Sequence, residues 1–214
     1  VVDWMIRKGM LKSKFGIQSN IRKTTVMHQA DKFAVDKLRA EKVAAIALQI
    51  YDQTHDILHN DESKRGRSLL WAACFLYNSG KQINLTAYHK HSWYLIKNCE
   101  LLGYSLSEKN IIAAIVRYHR KSLPKKRHES WQTLISREDK STALDMSLIL
   151  RLAASINKRP DPVISSVNIK SMNNEIRFKL ISSDKRKNLI LERWSLESCY
   201  GVVKDLKNLE LKVV

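Results

Sequence analysis

Three of the seven histidines fall in one stretch, 88–122, interleaved with lysine, arginine and tyrosine. The stretch opens with Tyr88-His-Lys-His-Ser and closes with Val116-Arg-Tyr-His-Arg-Lys-Ser122. Imidazoles beside fixed cations suit phosphate binding or phosphate chemistry better than they suit a core. An arginine fork and a lysine ammonium both donate to phosphate oxygens. The candidate anion-binding set is therefore His89, Lys90, His91, Arg117, His119, Arg120 and Lys121. The basic run continues through Lys125, Lys126 and Arg127, with no acidic residue between Arg117 and His128. The ligand expected from this pattern is a polyanion.

Metal chemistry is less well served. On a helix His89 and His91 point about 200° apart, so at most one of them faces a cleft. His119 comes from the next helix, and two imidazoles alone make a poor metal site. His55 and His59 are spaced i, i+4 but carry no metalloprotease pattern, and they read as solvated. His28 is isolated. There is no Gly-x-x-x-x-Gly-Lys-Ser, no Gly-x-Gly-x-x-Gly and no Gly-x-Ser-x-Gly, and no catalytic set can be assembled.

The elements that must position these residues are helical up to about residue 159. Val43, Ile46, Ala47, Ile50 and Tyr51 form one stripe between Asp36 and Asp56. Leu70, Ala73, Cys74 and Tyr77 mark a helix over 64–79, for which Gly80 supplies a left-handed stop. A third helix begins near Ala87. Ser105-x-x-Glu108 reads as a capping box before Ile111, Ile112, Ile115 and Val116. Another helix covers about 142–157. Pro160 and Pro162 then end the helical pattern. Val167 and Ile169, then Ile176, Phe178 and Leu180, alternate with polar residues as strands do, and Asn173-Asn174 between them suits a hairpin turn. A helix over 189–206, with Trp194, Cys199 and Val202 on its apolar side, and a strand through Leu209, Leu211 and Val213 complete the pattern. The expected fold is mainly α: a helical domain over 1–160 and a small β-β-α-β subdomain over 161–214.

The 214 residues include 38 Lys plus Arg against 21 Asp plus Glu, a formal net charge of +17. Such an excess favours phosphate-bearing partners with strong salt dependence. Three scattered cysteines with no Cys-x-x-Cys argue against a disulfide framework and for a reducing cytoplasm. No apolar run reaches the roughly 20 residues of a membrane span, and no membrane partner is expected. The opening Val1-Val2-Asp3-Trp4 is not a signal peptide, and a start without Met suggests a piece of a longer protein. Nucleic acid is not expected either. No base-reading motif is present, and the five tryptophans fall mostly in apolar helical patterns.

Leu76-Tyr-Asn-Ser-Gly80, Tyr88-His-Lys-His-Ser-Trp-Tyr-Leu-Ile-Lys-Asn98, Leu102-Gly-Tyr-Ser105 and Ile115-Val-Arg-Tyr-His-Arg-Lys-Ser-Leu-Pro124 resemble the C-terminal region of exopolyphosphatases and guanosine pentaphosphate phosphatases. These form the Ppx/GppA family. Val1–Met10 resembles the segment just after that family's catalytic domains, and Asn157-Lys-Arg-Pro160 with the tail resembles its small terminal subdomain. The resemblance implies a helical domain related to HD-type metal phosphohydrolases. Transferred position by position, the HD ligands fall near Arg39, on Tyr77-Asn78 and on Ala154, none of which can hold a metal as the original residues do. It also implies that hydrolysis belongs to an N-terminal module with Mg²⁺ and glycine-rich phosphate loops, none of which occurs here. The expectation is a non-catalytic accessory part of an exopolyphosphatase, without its own cofactor, that binds inorganic polyphosphate and supports a homodimer. An active HD-type hydrolase and a nucleic-acid-binding module are the alternatives.

Overall fold

The computed structural model describes residues 14–184 and 186–214, so the reading of Val1–Met10 lies outside the described residues. Helices come first: α1 (Lys14–Lys32), α2 (Lys37–Gln53), α3 (Arg65–Leu76), a 3₁₀ turn (Ser79–Gln82), α4 (Tyr88–Asn98), α5 (Leu106–Tyr118), α6 (Glu129–Gln132) and α7 (Arg137–Ile156). Then come β1 (Ile164–Met172), β2 (Glu175–Ser182), α8 (Ile190–Glu197), α9 (Tyr200–Lys207) and β3 (Glu210–Val213). The mainly α fold with a small α+β unit is the one expected.

α5 lies at the centre because from Ile111 to Val116 its sequence leaves it no wet face. Ile111 to Val116 are all buried, as expected for a helix that is apolar all round. It packs on α3, α4 and α7. Each fully buried isoleucine there contributes about 1.5–3 kcal/mol. The predicted capping box is present: Ser105 accepts from the Glu108 backbone N–H, and the Glu108 carboxylate accepts from the Ser105 N–H. Arg22 of α1 holds that carboxylate at 2.9 Å.

The β unit follows from the hairpin. Asn173 and Asn174 take φ of 49° and 65°, the left-handed pair that a two-residue turn needs. β1 and β2 pair antiparallel and β3 joins β2 in parallel, giving the order β1-β2-β3. The free edge of β1 is closed by two glutamines of α2. The Val167 N–H donates to Gln49 Oε1, the Ile169 N–H donates to Gln53 Oε1, and Gln53 Nε2 donates to the Val167 carbonyl. Side-chain amides thus stand in for a neighbouring strand and join the sheet to the helical body. Lys207 to Asp145 at 2.7 Å and Arg159 to Glu192 at 2.5 Å add two further ties.

Four local expectations change. Gly80 is not a left-handed stop; Gly103, at φ 83°, is the positive-φ glycine among the described residues. Gly80 is instead where the 3₁₀ turn presses on α4, since a Cβ would overlap Ser92 N and Tyr88 O. The helix over 189–206 breaks into α8 and α9 at Ser198-Cys199. Trp194 is 62% exposed rather than part of the apolar side. His59 is buried, not solvated: its ring stacks on Tyr51 at 4.0 Å, its Nε2 meets the Tyr51 carbonyl, and its Nδ1 accepts from the Asp61 N–H. α2 stops at Gln53, so the i, i+4 spacing never becomes a helix face; only His55 remains exposed.

Candidate anion-binding cleft

The ends of several helices meet around a cleft of about 470 Å³. Tyr77 and Asn78 follow the end of α3. His119, Arg120 and Lys121 follow the end of α5. Arg151, Ala154 and Ser155 come from the last turns of α7, with Lys158 just beyond it. Arg39 from the first turn of α2, Lys81 from the 3₁₀ turn and Tyr88 from the start of α4 complete the body side. Ser198 and Cys199, at the α8–α9 break, and Val202, in α9, also line it.

The sign of the site is set by side chains. A helix end carries about half an elementary charge, negative at C-termini and positive at N-termini. The C-terminal ends of α3, α5 and α7 are roughly offset by the first turns of α2, α4 and α9. Six cations remain: Arg39, Lys81, Arg120, Lys121, Arg151 and Lys158, with no acidic residue in the lining. Among the described residues none of the six is ion-paired, although Arg22, Arg65, Arg67 and Arg159 each hold a carboxylate elsewhere.

Two of the arginines also cap the converging helices. Arg151 donates to the carbonyls of Tyr118, His119 and Lys121 at 2.8–2.9 Å, taking up the end of α5. Arg39 donates to the carbonyls of Asn157 and Lys158 at 2.6 and 2.9 Å, taking up the end of α7. Arg39 Nε and Asn78 Oδ1 are buried on the cleft wall with no partner in the protein. Burial, and then the charges of Arg39 and Arg120, hold the Lys81 ammonium below its usual range. Repulsion among the lining cations is therefore felt within the site itself.

Tyr88 forms part of the floor. Its ring lies between Lys81 Nζ at 5.2 Å and Arg120 Cζ at 4.9 Å. Its hydroxyl donates to His119 Nε2 at 3.3 Å, while His119 Nδ1 donates to the Val116 carbonyl at 2.6 Å. That pair of bonds fixes a neutral tautomer. Burial pushes the His119 imidazole down to about 3. His119 is thus a structural support under the floor, not a charged ligand group.

The seven residues picked from the sequence divide. His119, Arg120 and Lys121 line the cleft. His89 does not: it is 1% exposed, and burial, with Arg117, Arg120, Lys121 and Lys90 nearby, pushes it down to about 4. His91 is half-buried with its Cβ against Gly80. Lys90 is exposed on the outer face of α4, and Arg117 is half-buried over the Tyr118 ring. Neither His89 nor His91 faces the cleft; Tyr88, one residue earlier, does.

The family profile described as Ppx/GppA phosphatase, domain III, matches residues 21–199. The chain belongs to the Ppx/GppA phosphatase family. It is 34% identical over 122 residues to the guanosine-5′-triphosphate,3′-diphosphate pyrophosphatase of Pseudoalteromonas translucida (strain TAC 125). That match covers 56% of this chain and 24% of the relative, so the chain spans about a quarter of the length of that protein.

Within this Ppx/GppA domain, the residues at or beside the positions that the HD resemblance implies for metal ligands, Arg39, Tyr77, Asn78 and Ala154, all line the cleft. Their chemistry does not fit a divalent cation. Arg39 brings a positive charge, Ala154 no donor, and burial drives the Tyr77 phenol upward so that it stays neutral. Among the described residues no three His, Cys, Asp or Glu side chains are grouped to hold a metal.

Sequence reasoning missed Lys81, Arg151 and Lys158 as cleft residues. Lys81 and Arg151 each lie between uncharged neighbours and Lys158 has only Arg159 beside it, and only the convergence of helix ends brings them to the others. Arg39 was noted only as a lost metal ligand. Carboxylates gather elsewhere: Asp56, Asp61, Glu62, Glu138 and Asp145 line a separate hollow of about 620 Å³.

Proposed function

We propose that this chain is a phosphate-binding accessory part of a Ppx/GppA-type hydrolase, and that its cleft holds inorganic polyphosphate. The observation that carries the reading is six cations around one cleft with no carboxylate in its lining. Arg39 Nε, left without a partner on the wall, adds a donor in want of an acceptor. The arrangement offers positioning and charge neutralisation but no nucleophile or base. In this reading the chain releases no phosphate alone, and hydrolysis requires a phosphate-loop module with Mg²⁺. The substrate of the whole protein is proposed to be polyphosphate, with a guanosine polyphosphate, named for the relative above, as the competing substrate. A homodimer and a cytoplasmic setting belong to the same proposal. The latter accords with the three unpaired cysteines, Cys74, Cys99 and Cys199.

The test compares the chain with an Arg120→Ala/Lys121→Ala/Lys158→Ala variant against tripolyphosphate over a range of salt. Each lost phosphate contact should lower the log–log salt slope by about 0.7, so the variant should lose about 2 units of slope and roughly 10–100-fold in affinity at 0.1 M salt. Equal affinities would remove the cleft assignment. Metal-dependent phosphate release by the isolated chain would restore the hydrolase alternative.

A further inference from the structure

Three consecutive residues tie together the helical body, the cleft and the β unit. α7 ends at Ile156 and β1 begins at Ile164. Between them, Nη2 of Arg39, from α2, holds the carbonyls of Asn157 and Lys158 at 2.6 and 2.9 Å. The Lys158 side chain lines the cleft and sets its Nζ 5.7 Å from the centre of the Trp194 ring on α8. Arg159 grips the same helix more firmly. Its guanidinium pairs with Glu192 at 2.5 and 3.2 Å and donates to the Asn188 carbonyl at 2.8 Å. Glu192 is 2% exposed, and α8 packs on α7 and β3. Two groups of this junction are left open toward the cleft. Arg39 Nε is buried without a partner in the protein, and among the described residues the Lys158 ammonium has no carboxylate. A buried donor left unsatisfied is costly until an acceptor arrives.

We propose that residues 157–159 form a strap that an anion in the cleft pulls tight, so that ligand binding fastens α8 and the β unit onto the helical body. The inference rests on the reading of the cleft as a phosphate site. A phosphate oxygen that accepts from Arg39 Nε fixes the guanidinium whose Nη2 carries the two strap carbonyls. Another oxygen of the same ligand takes the Lys158 ammonium. A ligand bonded both to the body and to the strap binds the docked arrangement best, and it shifts the docking equilibrium by that difference in affinity. The coupling is reciprocal, so a change that loosens α8 must weaken the anion by the same factor. Glu192 is the place to apply such a change. It is absent from the cleft lining, yet it holds the strap through Arg159.

Two measurements on the intact chain test the strap, with tripolyphosphate as the probe. Hydrogen exchange in wild type comes first. Amides of 190–197 should slow by up to about 100-fold at a tripolyphosphate concentration of 100 times Kd, because α8 then opens only when the ligand leaves. Amides of the hairpin turn at Asn173 and Asn174, which can open with the ligand in place, should not change. Arg39→Lys keeps the charge but not the grip on two carbonyls, and at the same multiple of its own Kd it should lose the protection of 190–197. The second measurement is affinity. Glu192→Gln removes a negative charge, so charge attraction alone gives equal or tighter binding of tripolyphosphate. The strap gives the opposite sign, a loss of roughly fivefold or more. Circular dichroism establishes that each variant is folded, and the wild-type exchange result decides without them. No protection of 190–197 in wild type, the same protection in Arg39→Lys, or undiminished affinity in folded Glu192→Gln would overturn the strap while leaving the cleft reading in place. A wild-type chain that does not bind tripolyphosphate would bring down both together.

Discussion

Arg151→Lys separates the two tasks assigned to Arg151. The guanidinium spans three carbonyls at 2.8–2.9 Å, those of Tyr118, His119 and Lys121. A lysine keeps the positive charge in the cleft but is a point donor, and it cannot reach three acceptors set out along a helix end. At least two of the three bonds should be lost. A hydrogen bond to a charged group contributes about 1.5–3 kcal/mol. The bond to the Lys121 carbonyl lies where water can replace it, whereas those to Tyr118 and His119 are partly shielded. The expected destabilisation is therefore about 2–3 kcal/mol, or roughly 4–12 °C in Tm for a chain of this size. Urea unfolding followed by circular dichroism measures it directly, provided the m-value stays constant. Tripolyphosphate affinity should fall far less in Arg151→Lys than in Arg151→Met, since only the latter removes the charge. A loss of stability under about 0.5 kcal/mol would refute the clamp, because that is the range of an ordinary surface substitution.

Other consequences follow from the same geometry. His89 is held down to about 4 in the fold against about 6.5 unfolded, so the unfolded chain binds protons that the native state refuses. Its contribution is complete above pH 6.5 and is lost as pH falls toward 4, by at most about 1.4 kcal/mol per pH unit. His89→Gln should flatten the slope of stability against pH in that window, and parallel slopes would contradict the assignment. Gly80→Ala should cost about 3 kcal/mol, because the new methyl meets backbone atoms of Ser92 and Tyr88 that cannot turn aside. A melting temperature matching wild type would show that the 3₁₀ turn gives way easily. Gln53→Ala removes two bonds to the edge of β1 and should cost about 1–3 kcal/mol. Hydrogen exchange should then quicken at Ile169 before it does in α5, and uniform quickening would argue against a local edge cap.

Periodicity and caps were enough for most of the fold. The α5 stripe, the Ser105–Glu108 box and the Asn173-Asn174 hairpin act between residues a few positions apart, and such interactions are written in adjacent letters. Errors occurred where a distant partner decided. Gly80 carries the composition of a helix stop, but the neighbouring α4 uses its missing side chain. His55 and His59 carry helical spacing, but α2 ends first and His59 turns under Tyr51. Trp194 matches an apolar stripe, but it lies exposed on α8, and the stripe itself is interrupted at Ser198-Cys199.

For the site, the amino-acid order determined the cationic excess and its concentration beyond Arg117, because charge density is a property of composition and neighbourhood along the chain. It also marked Arg39, Tyr77, Asn78 and Ala154 as unfit for a metal, since donor chemistry belongs to the residue itself. Only tertiary structure decided that these four positions face one cavity, and that Lys81, Arg151 and Lys158 join them. It alone divided the histidine segment, burying His89 and setting His119 beneath the Tyr88 floor. The physical reason is the convergence of helix ends. Residues more than a hundred positions apart become neighbours there, and two of them, Arg39 and Arg151, must satisfy the exposed carbonyls of helices to which neither is adjacent in sequence.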